Sequence, residues 1–189
     1  MRFRPLLLLA LGASSACAST QNGAATSSAE PAETESTASA EESASRPTLP
    51  DFRLRTIDGE KFALSNHVGK DVIIISFWAT WCMPCLAELP HLSSLYEMEK
   101  DEGLMVVAVS MDEPNTQAEV APTAQRLGLE MPVVIDDEQR AVRLYNKARS
   151  APMTILIDRN GRIVMAKSSF TPGDEVELEK KVKALLADG

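Results

Sequence analysis

"DVIIISFWATWCMPCLAELPHLSSL", residues 71–95, contains the change of pattern on which the fold turns. Val72 to Trp78 is a nearly unbroken β-branched and aromatic run, the composition of a strand buried on both faces. From Leu86 the apolar residues Leu86, Leu89, Leu92, Leu95 and Tyr96 recur at helical spacing, predicting a helix to about Lys100. Pro84 falls in its first turn, where the missing N–H leaves no bond unmade. Pro90 lies about two turns in and should kink the helix. Cys82 and Cys85 stand where the strand gives way to the helix.

Working outward, "DFRLRTIDGEKFALS" alternates around Asp58-Gly59, a signal for a β-hairpin with a tight turn. Downstream, "GLMVVAVSM" is a second buried strand, and residues 116–127 form a helix ending at Gly128, disturbed by Pro122. "PVVID" is a short strand and "EQRAVRLYN" a short helix. "MTILID" and "RIVMAK" flank Arg159-Asn160-Gly161, a strong hairpin signal. "DEVELEKKVKALLA" closes the chain as a helix with acids first and lysines later, matching the helix dipole; its charges are a solvated face. The order is β-hairpin, β-α-β, an inserted α-β segment, then α-β-β-α. It predicts an α/β domain with a central mixed sheet flanked by helices.

Ahead of this domain the composition changes. Residues 18–47 contain no Val, Ile, Leu, Phe, Tyr or Trp, and a stretch of Ala, Ser, Thr and Glu cannot bury enough apolar surface to offset its ordering entropy. The chain opens with Arg2 and Arg4, an apolar run from Leu6 to Leu11 and then small residues, the layout of a secretory signal. That run is too short for a membrane span, which needs roughly 20 residues. The expected division is a signal over 1–16, a disordered tether over 17–47 and a folded domain over 48–189. A flexible coil of the tether's length reaches roughly 30 Å. Cys17, at the end of the small-residue run, resembles the lipidated cysteine of a bacterial lipoprotein signal, although Ser14 stands where leucine is usual. Ala16-Cys17-Ala18 also fits ordinary cleavage after Ala18. Lipidation gives the odd third cysteine a fate. The net charge of −8 divides as −2 before residue 48 and −6 after it. With no block of Lys or Arg, nucleic acid is not an expected partner.

Three uses of Cys82 and Cys85 compete. A zinc clamp needs four ligands, and neither His67 nor His91 has a partner at ligand spacing. A structural staple gains little, because the closed loop is tiny and removes little entropy from the unfolded chain. A redox pair fits the context. At the N-terminus of a helix, Cys82 is stabilised as a thiolate by free N–H groups and the positive dipole end, and the thiolate is the attacking species in disulfide exchange. Cys85, one turn in, is placed to resolve the mixed disulfide.

"SFWATWCMPCLAELPHL" and "SAPMTILIDRNGRIV" resemble the TlpA/ResA-like thiol–disulfide oxidoreductases of the thioredoxin superfamily, over residues 50–187. The resemblance implies a thioredoxin-like fold and no cofactor beyond a Cys82–Cys85 disulfide. It implies a cis peptide at Ala151–Pro152 whose backbone pairs with the substrate strand. Trp81 is read as part of the docking surface, with Met83 and Pro84 as the intervening pair. Trp78 and Phe77 are read as core. Cytoplasmic thioredoxins carry a buried Asp six residues before the first cysteine; here that residue is Ser76, which is no base at neutral pH. Glu88 matches an acidic position of the TlpA/ResA-like branch and is expected to relay the proton of Cys85, with burial raising its pKa. The implied activity is exchange with protein thiols and disulfides on the periplasmic side of a bacterial membrane, anchored by lipid at Cys17. Reduction is the usual direction, as in cytochrome c maturation or oxidase assembly, with a membrane electron donor resetting the pair. Two alternatives stand beside it. A thiol peroxidase would need Thr where Ala79 stands, one residue before Thr80. A Cu(I)-binding assembly module could use the two thiols, without a Met or His repeat to support it.

Overall fold

The computed structural model describes residues 49–188. The signal read over 1–16, the tether over 17–47 and Cys17 lie outside them. Seven strands and four helices follow the expected order: β1 Arg53–Thr56, β2 Lys61–Ala63, β3 Val72–Trp78, α1 Met83–Glu99, β4 Leu104–Ser110, α2 Val120–Arg126, β5 Val133–Ile135, α3 Arg140–Tyr145, β6 Met153–Ile157, β7 Ile163–Lys167 and α4 Asp174–Ala187. They build one sheet in the order β2-β1-β5-β4-β3-β6-β7. β3, β4 and β5 are parallel, while β6 and β7 run antiparallel on one flank. The β1–β2 hairpin joins the other flank through antiparallel pairing of β1 with β5.

The alternation of β3 explains the two layers. Val72, Ile74 and Trp78 point into a cluster with Leu89, Leu92 and Leu95 of α1, Val120 and Ala124 of α2, and Leu178 and Val182 of α4. Ile73, Ile75 and Phe77 point the other way, toward Phe52, Leu54 and Phe62 of the hairpin region and Ala141, Val142 and Tyr145 of α3. Every residue of β3 is buried, as its unbroken apolar run requires. Each fully buried leucine or isoleucine contributes about 1.5–3 kcal/mol, so the sheet's centre is also its most stable part.

Local differences from the sequence reading have physical causes. The first hairpin does not close on Asp58-Gly59 alone: the last β1–β2 pair is Arg55↔Lys61, and a wider loop spans the residues between. Gly59 takes the left-handed conformation there, φ +86°. The helix expected from residue 116 opens as a 3-10 turn, Gln117–Glu119, and becomes α-helical at Val120. Pro122 then falls in the first α-turn, where no N–H is required. The expected stop at Gly128 holds: Leu129 N donates to Ala124 O (3.1 Å) and Gly128 N to Gln125 O (3.1 Å), with Gly128 at φ +63°. Helix α1 is continuous from Met83 to Glu99 with Pro90 inside it, and Leu89 and Leu92 on either side of the proline are buried in the core.

Candidate active site

The site is built at the C-terminal end of β3. Trp78 ends the strand fully buried, and the chain turns through Ala79–Trp81, with Cys82 N donating to Ala79 O (3.0 Å). Cys82 is the N-cap of α1 in extended conformation, followed by Met83 and Pro84 in the first turn. Its sulfur accepts from Cys85 N at 3.3 Å, so it occupies the position where a helix offers free N–H groups. Cys82 and Cys85 are disulfide-bonded, with Cα atoms 5.3 Å apart. Cys85 is fully buried, and Cys82 is 4% exposed. Around this buried pair, Trp81 and Met83 stand 64% and 72% exposed, and Pro84 is exposed as well.

The fold brings the remaining expected residues to the same place. β6 runs antiparallel to β3 with Met153 opposite Phe77, which sets Pro152 level with the end of β3. The Ala151–Pro152 peptide is cis. Ala151 packs against the cluster that contains both cysteines. Asn146 holds the approach to this bond, donating from Nδ2 to Ser150 O (2.7 Å) and accepting from Ser150 N at Oδ1 (3.0 Å).

Glu88 lies one turn beyond Cys85 on the buried face of α1 and is 5% exposed. Thr154 Oγ1 donates to its Oε1 at 2.7 Å. Burial pushes the Glu88 carboxyl up; the Thr154 bond, Lys167 and Ser76 act against this, and the Asp174 charge adds to it. Ser76 and Thr154 are direct partners across β3 and β6, the two hydroxyl residues of otherwise apolar strands, and of the two only Thr154 donates to the carboxyl. A narrow cleft of about 30 Å³ between α1, β7 and α4 reaches Glu88, lined also by His91, Lys167, Phe170 and Asp174. Lys167 Nζ and Asp174 Oδ1 pair across it at 2.6 Å. His91 is exposed near Phe170, and His67 pairs with Asp71 at 2.7 Å beside the first hairpin, away from the cysteines.

Residues 46–166 match the AhpC/TSA family. The thiol–disulfide oxidoreductase ResA of Geobacillus kaustophilus is 37% identical over 130 residues, covering 69% of this chain and 72% of that protein. ResA of Geobacillus thermodenitrificans is 38% identical over 116 residues, covering 61% of this chain and 64% of that protein. The chain belongs to the AhpC/TSA family, in its ResA-like thiol–disulfide oxidoreductase branch. The crystal structure of the pneumococcal exposed lipoprotein thioredoxin Etrx1, from Streptococcus pneumoniae strain TIGR4, is 27% identical with a TM-score of 0.60. That likeness covers 72% of this chain and 100% of the other.

For a ResA-like oxidoreductase the chemistry needs only the cysteine pair. Among the described residues no group of three or more His, Cys, Asp or Glu side chains could hold a metal ion. Three polar residues around this site escaped the sequence reading. Thr154 and Asn146 each touch an expected residue or its loop. Asp112 accepts from Thr80 N (3.0 Å) and from Thr80 Oγ1 (2.6 Å), two residues before Cys82. The one signal for Thr154 and Asp112 was the rarity of polar side chains in, or just after, buried strands, while Asn146 caps the end of α3 and carried none.

Proposed function

We propose that this oxidoreductase works on the periplasmic side of a bacterial membrane, anchored by lipid at Cys17, and reduces disulfides of selected proteins. Cytochrome c maturation and oxidase assembly are the fitting tasks. The Cys82 thiolate attacks one sulfur of the substrate disulfide; an S–S bond forms between enzyme and substrate, and one substrate thiolate leaves. Cys85 gives its proton to Glu88 and attacks the Cys82 sulfur. The second substrate thiolate leaves, the Cys82–Cys85 disulfide forms, and the substrate has gained two electrons. A membrane-bound dithiol donor then returns the pair to its reduced state. Trp81, Met83, Pro84, Ala151 and Pro152 receive the substrate chain.

The observation that supports the two-step thiol exchange is the buried Glu88, held by Thr154 one helical turn from the buried Cys85. Glu88 supplies a proton acceptor to the thiol that is hidden from solvent, with a pKa raised toward that of its partner. Against a thiol peroxidase stands Thr80, whose hydroxyl is already donated to Asp112.

Cys85→Ser should accumulate mixed disulfides between Cys82 and its substrates, separable on non-reducing gels and identifiable by mass. Capture by Cys82→Ser and not by Cys85→Ser would reverse the two roles. Cys17→Ser should release the protein from membranes; unchanged fractionation would remove the anchor.

A further inference from the structure

We propose that Asp112 is a positioning residue that holds the Ala79–Trp81 turn, and with it the surface on which a polypeptide substrate docks, without entering the thiol chemistry. The proposal rests on the thiol–disulfide reading of the site and concerns how its substrate is held.

The turn carries an unusual load. It must reverse the chain between a fully buried strand and a helix while presenting Trp81 largely to solvent. A ring so exposed gains little fixation from packing, so its place depends on the backbone that carries it. That backbone is held from β4. Met111 N donates to Trp78 O at 2.8 Å. Asp112, 3% exposed, takes Thr80 N on Oδ2 at 3.0 Å and Thr80 Oγ1 on Oδ1 at 2.6 Å. Ser110 Oγ donates to Oδ2 at 3.0 Å and accepts from Asp112 N at 3.1 Å, so the carboxylate is itself braced. Gln117 Nε2 reaches the Asp112 carbonyl at 3.3 Å.

Among the described residues Asp112 belongs to no ion pair. A buried carboxylate without a cation is costly and persists only where hydrogen bonds replace its water. Here the donors come from the turn and from the end of β4, and none comes from a cysteine. A neutral side chain could cap the strand end without that cost. The carboxylate's distinct property is that it accepts from both donors of one residue, which fixes Thr80 in position and orientation.

Trp81 is one wall of a groove of about 410 Å³, whose other sides are Met111, Glu113, Gln139, Val142 and Arg149. Gln139 and Arg149 are the two non-glycine residues with positive φ among the described residues, at 55° and 54°. Such backbone tends to gather at binding sites. Asp112 holds Thr80, the residue before Trp81, and through it sets the place of this wall relative to the other sides. Its expected contribution is therefore to the affinity for polypeptide disulfides, and small disulfides that need no groove should not sense it.

The test uses the full chain and four proteins: wild type, Asp112→Asn, Thr80→Val and Thr80→Ser. Reduction of insulin with dithiothreitol as donor gives KM and kcat for a polypeptide disulfide. Reduction of 5,5′-dithiobis(2-nitrobenzoate) by the reduced protein gives a small-disulfide rate. The pH profile of Cys82 alkylation by iodoacetamide reports the attacking thiol. Asp112→Asn and Thr80→Val should raise KM for insulin about tenfold with kcat within about twofold, while Thr80→Ser, which keeps both donors, stays at wild type. The small-disulfide rate and the alkylation profile should not move. An unchanged KM in both variants overturns the proposal. So does an equal loss on both disulfides, or a displaced alkylation profile, since Asp112 would then act on the thiol. If Asp112→Asn shows no cooperative unfolding, the contrast of Thr80→Val with Thr80→Ser decides alone. Wild type that reduces neither disulfide would instead overturn the thiol–disulfide reading and the proposal with it.

Discussion

Glu88 shows what a single residue can and cannot reveal from sequence. Its spacing from Cys85 placed it on the right face of α1, and the structure finds it buried there. Thr154, which holds it, is 66 positions away and is brought close only by the β3–β6 register. No local pattern encodes that register, so the partner was invisible. Glu88→Gln keeps shape and loses the proton acceptor; release of the mixed disulfide should slow about 10²-fold, read by stopped-flow or by trapped intermediate on gels. Its raised pKa also has a stability consequence. Between the unfolded and folded pKa values the native state holds the proton and the unfolded state does not, so stability falls as pH rises through that window. Thermal melts should show wild type and Glu88→Gln alike below the unfolded carboxyl range, with the variant more stable above it. Parallel melting curves at all pH values would contradict the burial of this charge.

At the scale of elements, periodicity located every strand and helix, while the boundaries followed chemistry that periodicity does not see. Helix α2 starts later than its apolar pattern because a proline suits only its first turn. Its end was readable because Gly128 has one local reason to be there. At φ +63° with no atom near its missing Cβ, Gly128→Ala should lose about 1 kcal/mol from left-handed strain alone, measurable by urea denaturation. Leu89, fully buried where α1 meets the sheet, is a different case: Leu89→Ala should cost about 2–5 kcal/mol. Helix α3 depends on an unforeseen cap, the buried Asp136 carboxylate, which accepts from Arg140 N (2.6 Å) and Val142 N (2.9 Å). Asp136 was legible only as the last letter of a strand.

For the whole molecule, the layer order followed from the sequence of element types, but the docking of the first hairpin onto β5 did not. Nothing in a hairpin names the edge it will join. Its attachment includes Tyr145 of α3, whose hydroxyl donates to Pro50 O at 2.6 Å. Burial, with the Asp51 charge, pushes this phenol up to about 12. The contribution is complete below the unfolded tyrosine value near 10 and is lost as pH rises toward 12. Absorbance titration should show one tyrosine ionising late, and Tyr145→Phe should remove it.

The disulfide sits inside the larger core cluster, so the fold itself senses whether the two sulfurs are joined. Folding and electron transfer then form a closed cycle, and whatever folding adds to the oxidised form over the reduced form appears as a lowered reduction potential. Each 1.4 kcal/mol corresponds to about 30 mV for two electrons. A calorimeter can therefore serve as an electrode for this protein. The further the oxidised form melts above the reduced form, the stronger a reductant the dithiol becomes toward any given partner, and the opposite order makes the disulfide the stronger oxidant.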